Sequence, residues 1–408
     1  MAVERVVIVG ASLAGVRAAE TLRQEKFAGT ITMVGAETHR PYDRPPLSKK
    51  VLSGEWEPDR IQLRRPEALD ELGIEWVLGD AASGLDLDAR RVRLASGSSL
   101  DFDGLVIATG AEVRRLRDQP DWAGVHVIRT LDDSLRLRSE LVEGTRVVVI
   151  GAGFIGLEVA ATARQRGCQV TVLEGADAPM KRGLGSVMGR AAAMVHADHG
   201  VDLRFGVAVE ALVESSPGRV GGVRLAGGET VPAEVVVVGI GVVPSTGWLE
   251  GSGLQLSDGV VCDATLNAGV PGVYAAGDVV RWYNERYGAN VRIEHWTTAS
   301  EQGAAAARNL LAVERGDPPT PYSEVPFFWS DQFGSRIQFL GRADGDENVT
   351  VVLGSVEERS FVALYERDGR LRAALGVSRP KQLMQFRRLL VADAGWDEAL
   401  EFARGLSV

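Results

Sequence analysis

The chain has 408 residues, 45 basic against 55 acidic, with five histidines, two cysteines and 48 glycines. Its apolar fraction of 45% and charged fraction of 25% fit a globular chain of two or three domains and exclude wholesale disorder or collagen-like repeats. The net charge of −10 lacks the basic footprint of a general nucleic-acid binder, no apolar run approaches the roughly 18 residues of a membrane span, and the first residues show no basic, cleavable leader pattern.

In chain order, the first element is also half of an internal repeat. Residues 5–15 read RVVIVGASLAG and residues 146–156 read RVVVIGAGFIG. Each predicts a buried strand, a glycine turn and an Ala-rich amphipathic helix. Each is followed by a second apolar run ending near an acid, Glu37 in the first copy and Glu174 in the second. This is the βαβ pattern that binds dinucleotides. The first glycine (Gly10, Gly151) makes the tight turn, and the middle position (Ser12, Gly153) lets backbone approach a pyrophosphate. The last glycine (Gly15, Gly156) lets helix and strand pack closely, while the helix N-terminus faces the anion. The acid accepts from ribose hydroxyls. Ser12 is small, so close approach survives. Glu37 follows Gly10 at a longer spacing than Glu174 follows Gly151, which predicts a longer loop through Phe27–Thr30.

Three more strand-like runs leave through glycine: LVIATG, carrying Thr109 and Gly110; VVVVGIG, carrying Gly239 and Gly241; and VYAAGD, carrying Gly277 and Asp278. Ligands of parallel α/β sheets bind at such strand ends. The carboxylate of Glu174 predicts NADH rather than NADPH, because it would repel a 2′-phosphate; Lys181 and Arg182 stand a few residues on and could pair one. Cys168 and Cys262 form no C-x-x-C pair, which argues against an active disulfide and suits a reducing cytoplasm. There is no cysteine cluster for an iron–sulfur centre. His196 and His199, three apart in a helical stretch, read as residues of a polar face; two histidines without a third ligand are too few for zinc. No metal site is expected.

The motif order resembles that of flavoproteins with two dinucleotide-binding domains. Within that group, RPYDRPPLSK (residues 40–49), IEHW (293–296) and PFFWSDQ (326–332) resemble the oxygenase-coupled NADH–ferredoxin reductases. The resemblance covers nearly the whole chain. It implies an α/β fold with two Rossmann-like domains, for FAD and NAD, plus a C-terminal α+β domain. The FAD-binding domain would take residues 1–110 and 240–316, the NAD-binding domain 111–239 and the third domain 317–408. The proline-rich stretch 315–321 marks the last boundary independently. Beyond it, alternation in 360–365, a turn at Asp368–Gly369 and a helical pattern over 382–390 fit an α+β unit.

The resemblance also assigns residues. Lys49 would lie near the flavin N5 edge, paired with Glu158 in the first turn of the second nucleotide helix. Alone, Lys49 reads equally as a solvated lysine and Glu158 as a helix-dipole partner. A cation there would stabilise negative charge on reduced flavin. Asp278 would bind the FAD ribityl chain, Ala14 the pyrophosphate through its backbone, and Arg129 and Arg44 the FAD. Ala82 and Trp296 match positions where mainly backbone touches the cofactor. The family often has Asp one residue before Glu37, where this chain has Ala36; Glu37 would take over the adenosine ribose. Trp329 would stand beside the isoalloxazine, although a tryptophan flanked by Phe327 and Phe328 also reads as plain core.

The implied activity is a reductase carrying electrons from NADH through FAD to a small acidic ferredoxin, by family context of the [2Fe–2S] type, and so indirectly to a cytochrome P450 or Rieske oxygenase. A flavin intervenes because it accepts a hydride and releases single electrons. Docking would use a local basic patch despite the net negative charge; Arg379, Lys381, Arg387 and Arg388 are candidates, or ordinary solvated helix charges. Two other readings stay open: a different acceptor such as a rubredoxin or quinone, and an NADH-responsive protein of the apoptosis-inducing factor type.

Overall fold

The computed structural model describes residues 3–345 and 347–406. The chain divides into two units. The first comprises Met1–Asp43, Ile61–Glu112 and Val242–Glu324; the second comprises Arg44–Arg60, Val113–Gly241 and Val325–Val408. The segment carrying Lys49 therefore packs with the second unit.

The first unit holds a five-stranded parallel sheet in the order Val273–Ala275, Gly104–Ile107, Arg5–Val9, Thr30–Gly35, Ile74–Leu78. Its inner strands are continuous β-branched or apolar runs, as burial on both faces requires. Val6, Ile8, Ile31, Leu105 and Val273 are at most 1% exposed and anchor the core. The helix Leu13–Gln24 follows the first strand, and the 20-residue helix Trp296–Arg315 packs against it.

The second unit repeats the plan: Val125–His126, Val235–Val238, Arg146–Ile150, Gln169–Glu174, Asp202–Phe205, again all parallel. Helix Phe154–Gln165 follows its first strand. The same unit contains an antiparallel sheet in the order Phe327–Gln332, Ser335–Gly341, Arg370–Val377, Ser360–Arg367, Asn348–Ser355. Asp368 and Gly369 both have positive φ, 55° and 70°, and close the expected hairpin with the backbone sense that matches strand twist. The helical pattern over 382–390 resolves into two short helices, Pro380–Gln385 and Arg387–Val391. The buried Phe386 separates them, and its N–H bonds Leu383 O, a tightened last turn. The fold is thus α/β with two dinucleotide-binding units of Rossmann type and a C-terminal α+β region.

The spacing difference between the two acids has two equal causes. Both helices start three residues after the first glycine and run 12 residues. The loop to the next strand is two residues longer in the first copy, as expected. The rest arises because Glu174 ends its six-residue strand, whereas Glu37 lies two residues beyond Gly35.

Gly303 sets the approach of the two helices in the first unit. A Cβ there would stand 2.2 Å from the Ala14 carbonyl oxygen. Gly303→Ala should therefore force the helices apart and destabilise the protein by about 1–3 kcal/mol. Urea denaturation checks this; an unchanged midpoint would show that the helices yield without cost.

Candidate functional site

The two nucleotide turns are built alike. Gly10 (φ 126°) donates its N–H to Val34 O at 2.8 Å, and Gly151 (φ 103°) donates to Leu173 O at 2.7 Å. A Cβ on Gly10 would fall 2.1 Å from Ala108 O, and one on Gly151 2.3 Å from Gly239 O. At both positions φ and space together demand glycine. Gly15 and Gly156 would carry a Cβ into the carbonyl oxygens of Gly10 and Gly151, at 2.1 and 2.2 Å.

The middle position differs. Ser12 (φ −135°) and Gly153 (φ −74°) both have backbones open to any L residue. A Cβ on Gly153 would meet nothing within 4 Å. Glycine there leaves room outside the chain rather than relieving strain, which is what a pyrophosphate against the helix N-terminus uses. Ser12 is the N-cap of its helix yet makes no side-chain capping bond, so its hydroxyl is not committed to its own helix.

In the first unit, the Glu37 carboxylate lies past the second strand and accepts from the Tyr42 hydroxyl at 2.5 Å. Ala82 begins the strand Ala82–Asp86. Thr109 Oγ1 donates to Ser245 O at 2.9 Å, and Gly110 has φ 69°. Gly277 follows Val273–Ala275 with φ 83°, and Asp278 beside it is half-buried. The Gly277 N–H donates to Gln302 Oε1 at 2.9 Å. Gln302 is wholly buried and its Nε2 has no partner among the described residues. A buried amide donor left over beside the Gly–Asp turn is a place for a ligand acceptor. Together with the turn geometry, it fits a bound FAD. Trp296 starts the long helix, and its indole N–H donates to Asp43 Oδ1 at 2.6 Å.

In the second unit, Glu174 accepts from the Ala152 and Ala176 N–H groups at 2.7 and 2.8 Å. Two fixed donors orient the carboxylate at the turn and leave lone pairs for ribose hydroxyls. Lys181 pairs with Asp177 at 2.7 Å, which offsets its charge. Gly239 and Gly241 follow the strand Val235–Val238, and a Cβ on Gly241 would come 3.9 Å from an Arg182 guanidinium nitrogen. These features fit a nicotinamide dinucleotide.

The same unit holds the Lys49–Glu158 pair. Lys49 Nζ lies 2.7 Å from Glu158 Oε2, with the two side chains 15% and 6% exposed. Two hydroxyls complete the carboxylate: Ser48 donates to Oε2 at 2.5 Å and Ser330 to Oε1 at 2.6 Å. The lysine's segment is held by the Leu47 and Ser48 carbonyls, which accept from Ser134 and Thr162 at 2.7 and 2.8 Å. Glu158 is the fifth helical residue, so it opens the second turn rather than lying in the first. The dipole explanation falls away with that, since the effect fades beyond the first turn. Arg44 Nη1 donates to Arg129 O at 2.6 Å. These two arginines come together in the second unit, whereas the turn of Gly10, Ser12, Ala14 and Gly15 is in the first.

Trp329 is half-buried on the strand Phe327–Gln332, near-parallel to Phe327 with ring centroids 6.1 Å apart. Phe328 takes the other face of the strand and packs edge-on against Phe154, 4.7 Å between centroids. The aromatic run is therefore split between two faces.

His196 corrects the sequence reading. It does not sit on a polar face: it is fully buried, and its Nε2 lies 2.8 Å from Gln332 Oε1. The helix Lys181–Asp198 packs against the strand Phe327–Gln332, a pairing that no local pattern reveals. His199 is exposed and stacks on Phe333 at 4.1 Å. Ser48, Ser330, Gln332 and Gln302 escaped the sequence reading. For Ser330 and Gln332 the signal was their i, i+2 spacing on a strand, with Asp331 between them on the other face. Among the basic candidates, Arg379 donates to Ser360 Oγ at 2.8 Å, and Arg388 lies over the Phe402 ring at 4.5 Å in a groove that Glu398 and Glu401 also line. Lys381 is exposed. Among the described residues, no helix is long and apolar enough to cross a membrane. Both cysteines are buried free thiols, and burial pushes that of Cys262 well above its usual range.

Residues 4–303 match the model of the pyridine nucleotide-disulphide oxidoreductase family, and residues 327–401 match a reductase C-terminal domain. The ferredoxin–NAD(+) reductase component of the anthranilate 1,2-dioxygenase system of Burkholderia cepacia is 39% identical over 97% of this chain and 96% of its own. Rhodocoxin reductase of Rhodococcus erythropolis is 37% identical over 98% and 94%. The crystal structure of the covalent putidaredoxin reductase–putidaredoxin complex superposes with a TM-score of 0.90 at 31% identity, covering 99% of both chains.

Burial pushes the imidazoles of His196 and His295 down to about 4. Their folded values lie below the unfolded value of about 6.5, so the unfolded chain binds more protons between those limits. Stability should be full above pH 6.5 and fall as pH drops toward 4, by about 2 kcal/mol per histidine between pH 6.5 and 5. Urea titrations at the two pH values test this; a His196→Gln variant should show a shallower dependence, and an equal one would contradict the assignment.

Proposed function

The chain belongs to the pyridine nucleotide-disulphide oxidoreductase family, in its branch of ferredoxin–NAD(+) reductases, and from that premise we propose that NADH is its donor and a small acidic [2Fe–2S] ferredoxin its acceptor. As a flavoprotein oxidoreductase of this branch it works with FAD and a nicotinamide dinucleotide, in electron transfer to the ferredoxin of an oxygenase system. The observation that carries the reading is the nucleotide turn built twice, down to the same glycine–carbonyl approaches. One turn serves each dinucleotide: Gly10, Ser12, Ala14 and Gly15 the FAD, Gly151, Gly153 and Gly156 the NADH.

Bound FAD supplies the conversion of a two-electron donor into one-electron steps, which no side chain offers. The chain's own residues bind and orient. Glu37 would accept from the adenosine ribose, Asp278 from the ribityl hydroxyls, and Gln302 Nε2 would give its spare donor to the same cofactor. Thr109, Gly110, Gly277, Ala82 and Trp296 would line the FAD through backbone, with Arg44 and Arg129 facing its phosphates. Glu174 would hold the NADH ribose, with Gly239 and Gly241 beside it. Lys49, oriented by its ion pair with Glu158, would stabilise negative charge on the reduced ring system, and Trp329 would shield that ring from water. Hydride transfer itself needs no acid or base, so positioning carries it.

Glu174 supports NADH over NADPH, because two backbone donors fix its carboxylate where a 2′-phosphate would arrive, and Lys181 is already paired. Steady-state kcat/KM should favour NADH, and Glu174→Ser should narrow the ratio by at least about tenfold, the worth of one lost repulsion or charged hydrogen bond. A native preference for NADPH would contradict the role of Glu174.

The acceptor is tested with NADH-driven cytochrome c reduction by the FAD-loaded protein, with and without an added [2Fe–2S] ferredoxin. A large ferredoxin-dependent rate that falls between 50 and about 300 mM salt is expected, since a chain of net charge −10 meets an acidic partner only through a local basic patch that salt screens. NADH bleaching of the flavin with no ferredoxin-dependent rate would contradict the proposed acceptor.

A further inference from the structure

The carboxylate of Glu158 is the end of a longer buried chain. Ser330 Oγ donates to Glu158 Oε1 at 2.6 Å, Gln332 Nε2 donates to Ser330 Oγ at 3.0 Å, and His196 Nε2 lies 2.8 Å from Gln332 Oε1. Ser330 and His196 are wholly buried, and Gln332 is 1% exposed. His196 Nδ1, at the far end, is buried with no hydrogen-bond partner among the described residues.

The chain has one possible direction. An ionised carboxylate only accepts, and a serine hydroxyl has one proton to give. Ser330 spends that proton on Glu158, so its oxygen must accept from the next residue. Gln332 must then present its amide NH₂ to Ser330 and its carbonyl oxygen to His196. His196 must answer with Nε2–H, which leaves Nδ1 bare and matches the unpartnered atom. Flipping the Gln332 amide would set its oxygen against a serine oxygen with no proton left, two acceptors face to face at 3.0 Å.

The strand explains how the chain is assembled. Phe328, Ser330 and Gln332 share one face at period two. That face meets Phe154 and Glu158, four apart on one face of helix Phe154–Gln165, and then His196 on helix Lys181–Asp198. Trp329 points to the other face.

We infer that Ser330, Gln332 and His196 are positioning residues of this reductase: through a one-way hydrogen-bond chain they hold the Glu158 carboxylate in place, aimed at Lys49. The inference rests on the proposed role of the Lys49–Glu158 pair. It makes the neutral His196 tautomer, rather than its charge, the outer anchor of the site.

The test has two readouts on the FAD-loaded protein. The first is ¹⁵N NMR of the histidine-labelled chain, which has only five histidines. His196 should appear as a single neutral Nε2–H tautomer, and Gln332→Leu should release it into a tautomer mixture. A wild-type His196 in the Nδ1–H form would overturn the inference without reference to any rate. The second is anaerobic stopped-flow bleaching of the flavin by NADH, with FAD content measured in parallel. Ser330→Ala should slow bleaching by about tenfold, the loss of one buried bond to a charged group, while Ser330→Thr restores it. In a Glu158→Gln background, Ser330→Ala should add nothing, because its effect passes through the lost charge. Wild-type bleaching in Ser330→Ala beside slow bleaching in Glu158→Gln would sink the chain and leave the pair standing. Wild-type bleaching in Glu158→Gln would remove the pair itself, and the inference with it.

Discussion

A carboxylate that is 6% exposed, two residues past Gly156, is expensive unless it is paired and fully hydrogen-bonded. Glu158 obtains this from three directions: a lysine and a serine on the segment Arg44–Arg60, and a serine from the C-terminal sheet. Two stretches of chain far apart in sequence are thereby fixed on one helix. Such a pair contributes little net stability over an apolar replacement, while losing one partner leaves a buried charge and costs several kcal/mol. Net stability alone therefore gives little reason for the pair. Through Ser330 the C-terminal sheet completes the hydrogen bonding of the carboxylate that pairs the lysine.

The two nucleotide turns show what is held constant and what is free. Where φ and space both demand glycine, both copies have it. Where the backbone is ordinary, at Ser12 and Gly153, the residue differs, and only close approach of a ligand constrains it. The acids differ for a related reason. Glu174 ends its strand and is aimed by two backbone donors. Glu37 stands two residues past its strand and is aimed by Tyr42 instead. A carboxylate can be delivered to the same edge by either route.

Much of this was legible in sequence because the repeated strand–turn–helix depends on local periodicity and on glycines with no substitute. The strands, both nucleotide helices and the hairpin at Asp368–Gly369 follow from such signals. The misses share a cause. His196 reads as polar and exposed from its own helix, but its partner lies 136 residues away. Ser330 meets a carboxylate 172 residues back. Phe386 breaks a regular helical pattern because the core takes its ring. Glu158 looked like a first-turn acid because glycine spacing alone does not say that the helix begins at Phe154. Tertiary partners decide these positions, and a run such as FWSDQ shows only that its successive residues face opposite ways.

The most direct measurement is anaerobic mixing of NADH with the FAD-loaded Lys49→Met variant, following flavin absorbance on the first turnover. Methionine keeps the volume and removes the charge. If the fixed cation stabilises the reduced cofactor, bleaching slows by at least about tenfold with FAD still bound, as expected when a preorganised charge is lost from where charge develops. Bleaching at the native rate with full FAD content would show that the lysine and its buried carboxylate hold the fold together and take no part in electron entry.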